Sequence, residues 1–195
     1  MTSQSQHPAP ALPPSGWIRR FSSLIPPGSR VIDVACGRGR HGRLFLDSGC
    51  DVTFIDRDPS GVADLTGRAT VIAHDLEMPG DGPGMSWPFP PGAFDAVIVT
   101  NYLHRPLFPA LIEAVSPGGI LLYETFAQGN EHFGRPRNPD HLLRAGELLE
   151  RTYPLQVIAY ETGTVCRNGE NRVISRIAAI RGETPVLLPL AEPCD

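Results

Sequence analysis

Residues 31–42, VIDVACGRGRHG, constrain the fold more than any other part of the chain. An apolar strand runs straight into G-x-G-x-x-G, set by Gly37, Gly39 and Gly42, and a helix opens behind it. Glycines at this spacing permit a tight turn and a close backbone approach to a ligand. Strand, turn and helix in that order belong to a parallel sheet covered by helices on both faces. Taken alone, the spacing is shared by nucleotide-binding folds generally, and it also fits a plain strand-to-helix turn.

The rest of the chain repeats the alternation. Residues 30–34, 51–55, 69–73, 94–100 and 120–123 read as strands, and FDAVIVT at 94–100 is apolar enough to be buried on both faces. Helices are expected over 16–24, 39–48, 60–65, 107–115 and 142–151, the last broken near Gly146. Segments 155–161 and 171–181 form a closing antiparallel pair around a turn at 163–170, while 77–92 and 126–139 read as loops. Five βα units and a hairpin give an α/β, doubly wound, mostly parallel sheet. The expected division is a flexible tail at 1–14, one domain at 15–183 and a second tail at 184–195.

Composition excludes several chemistries. The formal net charge is −4, which argues against a non-specific nucleic-acid binder. All 17 basic residues are arginine, so no side-chain amine can form a Schiff base. Cys36, Cys50, Cys166 and Cys194 make no C-x-x-C pair, which argues against a zinc site or a disulfide framework. Residues 1–15 lack a basic start before an apolar core, and no apolar run is long enough to span a bilayer. The expected compartment is a reducing cytoplasm; the oligomeric state is left open.

The polar residues at strand ends carry the chemistry. Asp33 sits in the first strand beside the glycines. A dinucleotide would bring a diphosphate to the following helix N-terminus, where a carboxylate repels it. S-adenosylmethionine brings an ammonium and a sulfonium, which a carboxylate favours. Asp56, at the end of the second strand with Arg57 behind it, can accept hydrogen bonds from both ribose hydroxyls, although Asp56–Pro59 also fits a turn and helix cap. Asp75 is placed to accept from an adenine amine. Asn101, Tyr102 and His104 follow the central strand, and Glu124 ends the next. Ligands in open α/β sheets bind outside such carboxyl ends.

These motifs resemble those of class I S-adenosylmethionine-dependent methyltransferases: VIDVACGRG the first, FID, HDLE and FDAVIVTNYLH the next three, and SPGGILLYET the strand that follows. The likeness covers residues 16–181, and the GRGRH spelling is similar to small bacterial enzymes of the tellurite-resistance methyltransferase kind. It implies a Rossmann-like, seven-stranded sheet with the last strand antiparallel. It implies that Asp33, Cys36, Gly37 and Gly39 surround the methionine part of S-adenosylmethionine, that Asp56 holds the ribose, and that Asp75 and Leu76 hold the adenine. The chain lacks the two prolines of the N-P-P-Y type motif at Asn101, against methylation of a nucleic-acid amine.

On the acceptor side, His104 is the first candidate base and Tyr102 the second. Phe126, His132, Phe133 and Arg135 lie on the long loop, a candidate lid, with Trp17 and Arg20 opposite. Arg38, Arg40, His41, Arg57, Arg105, Arg135 and Arg137 sit on candidate rim segments, and their convergence would favour an anionic small-molecule acceptor. Cys36 reads as a packing residue rather than a nucleophile. The reading is a methyltransferase moving a methyl group to O, S, N or a chalcogen of a small molecule, with S-adenosylhomocysteine as product and no metal. The alternatives are an NAD(P)-dependent oxidoreductase and a non-catalytic S-adenosylmethionine-binding module.

Overall fold

A computed structural model describes residues 12–78, 87–167 and 169–182; nearly all of both expected tails, and the core of the 77–92 loop, lie outside them. Seven strands form one sheet: β1 Arg30–Val34, β2 Asp51–Asp56, β3 Thr70–Ala73, β4 Phe94–Thr100, β5 Val115–Phe126, β6 Gln156–Arg167 and β7 Glu170–Ile180. Their order is β3-β2-β1-β4-β5-β7-β6. The pairs β1–β2, β1–β4, β2–β3 and β4–β5 are parallel. β7 runs antiparallel to both β5 and β6 and is slotted between them.

Side-chain alternation along each strand divides the core in two. Val31, Val52, Phe54, Ala96, Ile98 and Leu122 face α1 (Gly16–Phe21) and α2 (Arg40–Asp47), where Trp17, Ile18, Phe21 and Phe45 meet them. Ile32, Val34, Val97, Val99, Leu121 and Tyr123 face α3 (Phe108–Ala114) and α4 (Glu147–Arg151). The same alternation sends Asp33 and Thr100 to the α1/α2 face.

The strands stand where their apolar runs lie, and the departures have local causes. The segment 59–65 forms a 3-10 helix behind an Asp58 cap. Helix 142–151 shrinks to α4: Gly146 is left-handed at φ 77° and the Glu147 carboxylate accepts the Arg144 N–H at 3.0 Å, so the chain turns before it coils. The 126–139 loop is not structureless. Ala127 bridges Leu143, and both are buried against the α3/α4 face, with 3-10 turns at Asn130–His132 and Pro139–His141. The closing hairpin is longer than expected, because β6 continues to Arg167 and β7 begins at Glu170. β5 stops pairing at Phe126–Ile174, so the rest of the hairpin projects past the carboxyl edge of the sheet.

Candidate functional site

Two cavities open along that carboxyl edge and share Ala35, the residue after β1. The first, of about 530 Å³, lies beyond β2 and β3. Asp56, Asp75 and Glu77 supply carboxylates, and Leu76 and Tyr102 supply apolar wall. Asp56 is tied to the glycine turn: Oδ2 accepts the Gly37 N–H at 2.8 Å and Oδ1 the Asp58 N–H at 3.0 Å. Each oxygen keeps a further lone pair. Asp75 is exposed and accepts the Glu77 N–H at 2.9 Å, while Leu76 is buried. The buried Tyr102 hydroxyl makes no hydrogen bond of normal length; burial, then the charge of Glu77, raises its pKa, so it stays a phenol.

The second cavity, of about 950 Å³, lies between the α1 start, the glycine turn and the hairpin. Arg19, Arg38, Arg40, Arg167 and Arg172 line it, and no carboxylate does. His41, Thr100, Asn101, Cys36 and Cys166 also line it. His41 is buried; its Nδ1 meets Thr100 Oγ1 at 3.0 Å, and its Nε2 has no hydrogen-bond partner. Burial, with the charges of Arg40 and Arg167, lowers the imidazole to about 3. Arg40 is itself lowered, by burial and then by the charges of Arg167 and Arg172, which face it across the cavity. Behind them Glu124, fully buried, accepts from Arg167 at 2.9 Å and from Arg176 at 3.3 Å. Burial and the acids Asp33 and Asp56 raise the Cys36 thiol, which keeps its proton.

The turn between the cavities is strained where it faces them. Ala35 and Asn101 hold left-handed backbone at φ 51° and 55° without being glycine. Gly39, at φ 67°, has no room for a side chain, since a Cβ would stand 2.5 Å from Val62 Cγ1. Gly37 is left-handed at φ 54°, and a Cβ there would meet nothing, so it leaves the cleft open.

Several expected site residues lie elsewhere. Asp33 is not a cleft acid: it is buried, lines neither cavity, and its Oδ2 accepts the Gly42 N–H at 2.8 Å, capping the uncapped start of α2. Burial raises its carboxyl to about 7, against the pull of Gly42 and Arg40. Trp17 is core, its indole N–H bonded to the Ile177 carbonyl at 3.3 Å, and Arg20 binds Glu161 while lying over Phe21. Neither lines either of these two cavities. His104 opens the 3-10 turn Arg105–Leu107 and lines neither, because buried Leu103 and Leu107 pull that segment toward α3. Phe126 is paired into the sheet, and His132, Phe133 and Arg135 are exposed on a loop anchored to the α3/α4 face. Arg105 is no rim cation: it clamps Glu147 at 2.7 Å and the carbonyls of Asp140 and Leu142. Cys36, Gly37, Asn101, Arg38, Arg40 and His41 line the second cavity, and Asp56, Arg57, Asp75, Leu76 and Tyr102 the first. Gly39 shapes the turn between them.

Sequence reasoning missed Arg19, Arg167 and Arg172. The available signal for two of them was CRNGENR, a tight turn with an arginine on each arm.

With this geometry in view, the chain resembles class I S-adenosylmethionine-dependent methyltransferases in its strand order, its glycine turn and its β2-end acid, and the family described as a methyltransferase domain matches residues 31–119, a little under half of the chain. It is 33% identical to the demethylmenaquinone methyltransferase of Beutenbergia cavernae over 107 residues, 52% of this chain and 42% of that one. It is 32% identical to the ubiquinone biosynthesis O-methyltransferase of Burkholderia thailandensis over 116 residues, 56% of this chain and 48% of that one. The chain thus spans less than half the length of these curated relatives. Among solved structures it resembles TehB from Haemophilus influenzae, with TM-score 0.68 and 16% identity over 86% of this chain and 62% of that one. A similar fold occurs in the S-adenosylmethionine-dependent methyltransferase from Methanosarcina mazei, with TM-score 0.65 and 15% identity over 87% and 99%.

Proposed function

We propose that the protein transfers a methyl group from S-adenosylmethionine to a small-molecule acceptor in the cytoplasm. The observation that carries this reading is the Gly37 N–H donated to Asp56. A diphosphate nucleotide needs the amides of a glycine turn for its anion. Here the first of them is already satisfied by a carboxylate, which also repels phosphate. This replaces the role that Asp33 cannot play from under α2, and it argues against a nicotinamide oxidoreductase.

The residues fit the cofactor. Asp56 offers its remaining lone pairs to ribose hydroxyls, Asp75 its carboxylate to the adenine amine, and Leu76 and Tyr102 an apolar wall. Open space at Gly37 and a protonated Cys36 thiol leave room for the methionine part between the cavities. When bound, S-adenosylmethionine supplies an activated methyl on a sulfonium. The chain's own task is then alignment of an acceptor and exclusion of water. Tyr102, kept as a phenol, can donate a hydrogen bond and does not take a proton. No helix among the described residues is long and apolar enough to cross a membrane, and the free thiols of Cys36, Cys50 and Cys166 suit a reducing compartment.

Titration calorimetry of the full chain tests the reading. S-adenosylhomocysteine is expected to bind, and Asp56→Asn to weaken it by about tenfold or more, the value of a charged hydrogen bond. Absence of heat with both S-adenosylmethionine and S-adenosylhomocysteine, or tight binding of NADH instead, overturns it.

A further inference from the structure

We propose that the arginine-lined cavity is the seat of the acceptor and selects a small anion, one carrying a carboxylate, phosphate or comparable oxyanion. The inference rests on the cofactor reading above and names the class of molecule that the same site methylates.

The charge of the wall carries the argument. Five guanidinium groups line one cavity in a chain whose net charge is −4, and no carboxylate shares the lining. Two acids touch these arginines, Glu124 behind Arg167 and Glu170 beside Arg172, and both stand outside the cavity. Arg167 and Arg172 are thereby paired, and the cofactor's single carboxylate can meet only one of Arg19, Arg38 and Arg40, so the wall keeps an excess of positive charge. Arg19 sits on α1, Arg40 on α2, and Arg167 and Arg172 on the β6–β7 hairpin, so their convergence follows from the fold and not from one charged surface helix. Guanidinium groups bind oxyanions with paired, charge-assisted hydrogen bonds.

A second observation points to a ligand independently. His41 is 2% exposed, lines this cavity, and leaves Nε2 without a partner while Thr100 occupies Nδ1. A buried imidazole nitrogen left unpaired is costly unless a bound molecule completes it. The cavity contains no other histidine among its described lining. Neutral His41 is a poor proton acceptor, and an acceptor that arrives as an anion has a lone pair ready and needs no base. A neutral aromatic or quinol acceptor would leave the cations facing one another and His41 unmatched.

The test uses the full chain loaded with S-adenosylhomocysteine, titrated with inorganic phosphate against sodium chloride of equal ionic strength and read by calorimetry and thermal shift. Phosphate is expected to bind and to raise the melting temperature. Arg172→Gln and Arg40→Gln are expected to weaken it by about tenfold or more, with Arg172→Lys partly restoring it. Arg68→Gln, which removes an exposed arginine outside the cavity lining, is the control and should leave it unchanged. Arg172 sits on the projecting hairpin, so its loss leaves the core intact. Three results overturn the inference: phosphate binding no better than chloride, equal weakening by Arg68→Gln, or mutual displacement of phosphate and S-adenosylhomocysteine. Arg172-dependent phosphate binding in a chain that does not bind S-adenosylhomocysteine would keep the anion site and remove the cofactor reading alone.

Discussion

Burial acts in opposite senses on two groups of the same sheet face, raising the Asp33 carboxyl to about 7 and lowering the His41 imidazole to about 3. Between pH 3.8 and about 7 the unfolded chain has released the Asp33 proton while the folded chain holds it, so this group lowers stability as pH rises. Between about pH 3 and 6.5 the unfolded chain charges His41 while the folded chain keeps it neutral, so this group raises stability with pH. Across the overlap they oppose each other. Asp33→Asn keeps an oxygen for the Gly42 N–H and is expected to show stability rising with pH there; His41→Gln is expected to show it falling. Each slope relative to the parent is on the order of 1 kcal/mol per pH unit. Urea denaturation at several pH values checks this, and groups common to all three chains, such as Asp95 and Glu147 held at about 2, cancel. Parallel curves would refute the assignment. These two residues also show what a motif conceals. The sequence places Asp33 and His41 beside the glycine turn, but strand alternation, which turns Asp33 under α2, and the first turn of α2, which buries His41, act in three dimensions.

Among the elements, the stretch from 139 to α4 hangs on one carboxylate. Glu147 is fully buried and accepts from Arg105 at 2.7 and 3.0 Å and from the Arg144 N–H at 3.0 Å, with Arg151 at 3.4 Å. Burial pushes its pKa up, and the Arg105 pair and the Arg144 N–H outweigh that and hold it at about 2. Arg105 also binds the carbonyls of Asp140 and Leu142, so one guanidinium fastens the end of the long loop to α4. Glu147→Ala is expected to cost about 3 kcal/mol, as breaking a buried pair does, and to speed amide exchange across 140–147. Arg144→Ala removes a half-exposed partner and is expected to cost less than about 1 kcal/mol. Equal costs would mean that Arg105 is not the anchor. The strands were readable in sequence because apolar runs such as FDAVIVT have one use, burial on both faces. The loop was not: Arg105, Asp140 and Glu147 meet across some forty residues, and nothing local marks Arg105 as a clamp rather than a rim cation.

On the scale of the whole molecule, the sheet assembles the site from distant parts. The acid cavity comes mostly from residues 35–102, while the arginine cavity needs α1 and the far hairpin, delivered by a β7 that threads between β5 and β6. That is why the acid cavity was legible as ordered motifs and the arginine cavity was not: Arg40 and Arg172 become neighbours only through antiparallel pairing late in the chain. The two core clusters share all of the central strands, each using alternate residues, so neither face can unfold alone without exposing the back of the other. The chain has two tryptophans, and each reports one face: Trp17 is buried among α1 and α2, and Trp87 packs with Phe89 against the α3/α4 cluster. Denaturant unfolding of Trp17→Phe, followed by Trp87 fluorescence, and of Trp87→Phe, followed by Trp17 fluorescence, is expected to give in each chain a midpoint that coincides with its own far-ultraviolet circular dichroism. Trp17→Phe lowers the midpoint because it removes a core indole, so each probe is compared within its own variant. S-adenosylhomocysteine at about a hundredfold its dissociation constant should add about 2.7 kcal/mol to both, because a ligand seated across β1, β2 and β4 stabilises the sheet that both faces share. A Trp87 transition that moves with ligand while the Trp17 transition does not would separate the two faces into independent units and break the single-domain account of how the far hairpin reaches the site.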